Sequence, residues 1–129
     1  MKITISWDKH GLDADLLDTP TARALLAALP IEAKANTWGE EVYFDVAIDV
    51  KLEADAREVV EPGTVCFWVQ GSSLALPFGP TPVSKGDECR LVTKVNVLGR
   101  ITGDPRLLKS VKSGTRIRVE AAAASPAAS

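Results

Sequence analysis

The chain has 129 residues, 46% of them hydrophobic and 25% charged, which suits one domain with a single sizeable core. Its net charge is −2 with the signs mixed along the chain, and no basic stripe exists to neutralise a phosphate backbone, so nucleic-acid binding is not expected. No apolar run is long enough to cross a membrane and the opening residues lack the apolar stretch of a leader, so a cytoplasmic protein without membrane partners is expected.

In chain order, Lys2 to Trp7 alternates polar and apolar residues and predicts a strand. The polar stretch around His10 reads as a loose connection. Thr19 precedes Pro20 and an Ala/Leu run to Leu29. A threonine cap and a proline at the first helical position, where the missing N–H costs nothing, predict a helix that Pro30 ends. Its buried stripe is Leu25, Leu26 and Leu29. Ile31 to Trp38 is a shorter strand candidate. Val42, Phe44, Val46, Ile48 and Val50 then share one face, opposite Tyr43, Asp45, Ala47, Asp49 and Lys51, which predicts one long strand or two with a bend.

After the turn signal Glu61-Pro62-Gly63, Val65, Phe67 and Val69 alternate with Thr64, Cys66 and Trp68. Ser73 to Phe78 and Arg90 to Ile101 follow as further strand candidates. Asp104-Pro105 repeats the helix-start signal, with Leu107, Leu108 and Val111 facing inward. Ile117 and Val119 close the series after Ser113-Gly114. The domain is expected over residues 1–121, with the Ala/Ser/Pro-rich residues 122–129 a disordered tail.

Chemistry-bearing residues are sparse. Cys66 and Cys89 read as reduced packing groups, and His10 is the only histidine, so no metal-ligand spacing exists. A nucleophile–base pair would depend on that same His10 stretch. No Gly-rich phosphate loop is present, and no cofactor is expected. Arg116 and Arg118, with Lys109 and Lys112, form the one basic cluster and read as a solvated face.

Four segments carry a family resemblance. In order, they are Asn36-Thr37-Trp38-Gly39-Glu40-Glu41-Val42-Tyr43-Phe44, Arg57-Glu58-Val59-Val60 before Pro62-Gly63, Phe78-Gly79-Pro80-Thr81-Pro82, and Val95-Asn96-Val97-Leu98-Gly99-Arg100-Ile101. Together they resemble the small prokaryotic cyclophilin-like family over nearly the whole chain. The resemblance implies a mainly β fold, a closed barrel of about eight strands with two short helices capping its ends.

A prolyl isomerase lowers a rotation barrier of roughly 18–20 kcal/mol. It does so with an apolar grip on the proline ring and a guanidinium donating to the prolyl nitrogen. The Phe-His-Arg signature of the true isomerases is replaced by Ile31-Glu32-Ala33-Lys34-Ala35-Asn36, and no Gln-Gly-Gly-Asp-Phe stretch follows. The pocket histidine falls near Val95. Catalytic residues are therefore not carried over.

Trp38, Glu40, Phe78 and Pro80 are the candidate ligand-binding group, with apolar walls and one polar anchor. Glu40 is in phase with Val42 and Phe44, so it belongs either to a ligand cleft or to a turn that its acceptor oxygens fix. Glu40 and Glu41 point to opposite faces and cannot form a paired acid and base. Trp68 alternates away from Val65 and Phe67 and belongs either at an interface or beneath a loop. Asn96 faces outward if Val95 and Val97 face the core. The expected function is a non-catalytic module binding a small molecule or a proline-containing peptide. A divergent prolyl isomerase and an interaction subunit of a larger complex are the alternatives.

Overall fold

The computed structural model describes residues 1–122. The expected disordered tail over 122–129 thus lies, beyond Ala122, outside the described residues. Ten strands form: β1 (Lys2–Trp7), β2 (His10–Leu16), β3 (Ile31–Lys34), β4 (Asn36–Thr37), β5 (Glu41–Asp45), β6 (Arg57–Val60), β7 (Thr64–Trp68), β8 (Ser73–Pro77), β9 (Cys89–Ile101) and β10 (Arg116–Ala121). Helix α1 (Pro20–Ala28) follows β2, and a 3-10 helix spans Pro105–Ser110.

Every pairing is antiparallel, in the order β3-β10-β1-β2-β9-β7-β8-β5-β4, with β6 added on β9. Two corrections to the sequence reading follow. There are ten strands where about eight were expected, and the hydrogen-bonded path does not close. Its ends, β3 and β4, are joined through the chain at Ala35, which exchanges backbone hydrogen bonds with Gly114 and Thr115. The strands without a counterpart in the sequence reading are β2, whose Leu12, Ala14 and Leu16 face the core, and β6, and the one candidate Ile31 to Trp38 divides into β3 and β4. His10 accordingly sits in a strand, opposite Trp7, and not in a loose connection.

The interior holds Ile3, Ile5, Val42, Phe44, Phe67, Leu74, Leu76 and Leu98. Burying such side chains contributes roughly 1.5–3 kcal/mol each. Thr19 caps α1, its hydroxyl accepting from the Ala22 N–H at 3.1 Å. Leu25 is fully buried, while Leu26 and Leu29 pack partly against the core. The second helix is 3-10, with Leu108 and the following Val111 buried.

The apolar run from Val42 to Val50 stays in phase with the core, but the ladder stops at Asp45. Beyond it, the Val46 N–H donates to the Ser72 carbonyl. A buried amide holds the next segment down. Asn96 is fully buried inside, a correction to its expected outward position. Its amide donates to the Thr21 hydroxyl and the Lys51 carbonyl, both at 2.9 Å, and its oxygen accepts from the Glu53 N–H at 2.7 Å. Val95 and Val97, its neighbours, pack on the opposite face of the sheet.

That opposite face creates the candidate site. β9 pairs along its second half with β7 and β2, and along its first half with β6. Gly99 permits the close approach of β9 to β2, since a Cβ there would lie 2.0 Å from the Asp15 carbonyl oxygen. The β6–β9 pair carries apolar residues over the outside of β7 and β8. Both faces of these central strands are therefore covered, and every residue of β8 is buried.

Candidate functional site

The period-two geometry of β5 sends Val42 and Phe44 inward and Glu41 and Tyr43 outward. Register aligns Tyr43 with Ala75, Ala75 with Cys66, and Cys66 with Val97, giving a row across the outer face. Val60, Leu91 and Val95 complete a second apolar cluster there. Between them lies a cavity of about 230 Å³. Trp38 comes from the β4–β5 turn, Glu41 and Tyr43 from β5, and Trp68 from the end of β7. Ala75, Leu91, Val92 and Val95 supply aliphatic wall.

Two polar atoms in this apolar setting lack partners among the described residues: Oε1 of Glu41 and Nε1 of Trp68. Glu41 is only 7% exposed. Burial without a neighbouring cation pushes its carboxyl from the ordinary 4.5 up to about 7. A buried acceptor and donor left unpaired cost of order 1–3 kcal/mol each. An arrangement that a protein carries at such a cost is a candidate for binding chemistry.

The thiols near this carboxyl are held in their protonated form. Burial, with Glu41 and Cys89 adding to it, pushes the Cys66 thiol well up. Burial likewise lifts Cys89 to about 11, and its Sγ–H donates to the Gly79 carbonyl at 3.2 Å. Neither carries much thiolate at neutral pH. No arginine lines the cavity. The Arg90 guanidinium is engaged by Glu88 at 2.6 Å and Glu58 at 3.2 Å. Among the described residues no group of three or more His, Cys, Asp or Glu side chains is gathered for a metal.

The four residues singled out in the sequence do not share one concavity. Trp38 lines the outer cavity, whereas Glu40 and Phe78 line a shallow recess with Lys109 and Val111. Glu40 works mainly through its backbone. Its N–H donates to the Pro80 carbonyl at 2.9 Å, and its carbonyl accepts from the Phe78 N–H at 2.8 Å. Its carboxylate faces the Lys109 ammonium at 3.9 Å. Gly39, at φ +59°, makes this clasp practicable, because a Cβ there would lie 2.8 Å from the Thr81 Cα.

Glu41 and Trp68 are the residues that sequence reasoning passed over as site members. The signal for Glu41 was its phase with Tyr43, but only the cover from β6 and β9 makes that face a buried one. Trp68 lies beneath the turn after β7, its ring filling the space beside Gly71.

A family model described as cyclophilin-like matches residues 1–120. Among solved structures, the chain is similar to a hypothetical protein from Archaeoglobus fulgidus, determined in solution. The two are 36% identical with a TM-score of 0.80, and the match covers 95% of each chain. No curated protein matches the chain. Among the described residues, no helix is long and apolar enough to cross a membrane.

Proposed function

The chain belongs to the cyclophilin-like family, and we propose that it is a non-catalytic binding module whose outer-face cavity holds a small molecule or one side chain of a peptide. The observation that supports this reading is that Glu41 and Trp68, which carry a carboxyl oxygen and an indole N–H without partners among the described residues, both line a cavity walled by Trp38 and Tyr43. Apolar walls supply the affinity of such a site, and a few convergent polar atoms supply its selectivity. The absence of a guanidinium from the lining, together with two thiols held protonated, argues against an isomerase or nucleophilic reaction at this place. Within this reading the protein resides in the cytoplasm and meets its ligand there.

Trp38 gives the direct test, since it stands in a turn and not in the core. Trp38→Ala is expected to weaken binding of the hits from a screen of small amines, alcohols and Xaa-Pro peptides by about tenfold or more. Its melting temperature should fall by only a few degrees, about 1 kcal/mol or less. Titration calorimetry and thermal melts of both proteins check this. Unchanged affinity alongside a large drop in melting temperature would make Trp38 a structural residue and remove the cavity as the site.

A further inference from the structure

We propose that the ligand of the outer-face cavity is a small organic cation, an alkylated ammonium group that also carries a hydrogen-bond acceptor. This rests on the cavity being the binding site. The lining has three aromatic residues and one carboxyl group, and among the described residues contains no lysine, arginine or histidine. Indole and phenol rings present their negative faces to a cation, most effectively where water is excluded. Glu41 supplies the one formal charge, and none of the ion pairs among the described residues involves it. An anionic ligand would meet that carboxyl unopposed, and a neutral hydrocarbon would leave both orphaned atoms as they are.

The second orphan narrows the class. The Trp68 N–H donates and cannot be satisfied by a cation, so a ligand that pairs with it must also carry an oxygen or comparable acceptor. Size narrows it again. A cavity of about 230 Å³ is smaller than a typical drug-sized pocket, so it suits one headgroup and not a run of peptide.

Protons compete with such a ligand. The empty site keeps its carboxyl protonated up to near neutrality, and a bound cation replaces that proton. Affinity therefore rises as the pH increases from 6 to 8. The titratable groups around Glu41 are its chain neighbour Glu40, which faces Lys109 at the rim, Tyr43 on its own strand, Cys66 on β7 and Cys89 on β9; β8 contributes Pro77 and Ala75, which do not titrate. Both thiols stay protonated over this range, so the pH response belongs to Glu41.

Choline and its neutral isostere 3,3-dimethylbutan-1-ol have the same shape and the same hydroxyl, and differ in charge. They can be titrated into protein with 15N-labelled indoles, whose three tryptophan signals act as separate reporters. Trp7 donates to the Ser110 hydroxyl at 2.8 Å and is buried in the core, so it serves as the internal control. Choline is expected to shift Trp38 and Trp68 saturably and leave Trp7 in place, with the alcohol binding at least about tenfold more weakly. Glu41→Gln, close in shape, should reduce choline to the level of the alcohol and abolish the pH response.

Equal binding of the two probes, or a preference that survives Glu41→Gln, would overturn the cation assignment. So would an absence of choline shifts where an Xaa-Pro peptide still moves Trp38 and Trp68, an outcome that leaves the binding-module reading intact. If no probe, peptide included, moves those two signals, both readings fall together.

Discussion

Glu40 and Glu41 are neighbours whose side chains meet different surroundings. The first faces a lysine at a solvated rim, and the second is buried in the wall of the outer cavity without a counter-charge. The consequence for Glu41 has a definite sign. Its folded value of about 7 lies above the ordinary 4.5, so the folded state binds more protons than the unfolded chain between these values. Its contribution is most favourable below pH 4.5 and is lost as the pH rises through 7. The full difference corresponds to about 3 kcal/mol. Denaturant midpoints of the wild type are expected to fall between pH 5 and pH 8, and Glu41→Gln should flatten that decline and be the more stable protein at pH 8. An identical pH profile for the two proteins would show that the carboxyl is not held in this way. At this scale the sequence was half legible. Alternation correctly set Glu40 and Glu41 on opposite faces, but the anchor was sought on the inward one, because nothing local shows that an outward face is roofed by a strand 50 residues later.

Among the elements, those with strong local signals match the sequence reading: β1, the Thr19-capped α1 and the helix start at Asp104-Pro105. β2 carries little local signal although Leu12, Ala14 and Leu16 alternate, because these apolar residues are interleaved with Gly11, Asp13 and Asp15, a loop-like composition. β9 illustrates a different obstacle. Its register against β7 shifts at a bulge, and its first half changes partner to β6, so inside and outside cannot be carried along 13 residues by counting. That is why Asn96, expected outside, lies inside. Its amide ties α1 through Thr21 to the strandless segment at Lys51 and Glu53, and the Glu53 carboxylate returns to the Thr21 hydroxyl. Asn96→Leu would leave the part-buried Glu53 N–H and Lys51 carbonyl without their partner. A loss of about 2–4 kcal/mol is expected in urea unfolding, and a loss below about 0.5 kcal/mol would mean that water replaces the amide there.

Across the whole molecule, the sheet wraps one core and presents its central strands to a second, smaller one. Composition and alternation indicated a mainly β domain with helices beside it, and the family resemblance extended along almost the entire chain. Whether the path closes depends on Ala35, where a single residue separates β3 from β4, a detail below the reach of hydrophobic patterning. The second core leaves a cavity on the sheet's exterior at Trp38, Glu41 and Trp68, apart from the recess at Glu40 and Phe78. The measurement that decides between them is an amide-shift titration of the labelled chain with small amines and Xaa-Pro peptides. The expected result is a set of shifts at Tyr43, Trp68, Ala75, Leu91 and Val95, with Phe78, Lys109 and Val111 unmoved. Shifts confined to Phe78, Lys109 and Val111 would contradict it and place the ligand at the rim.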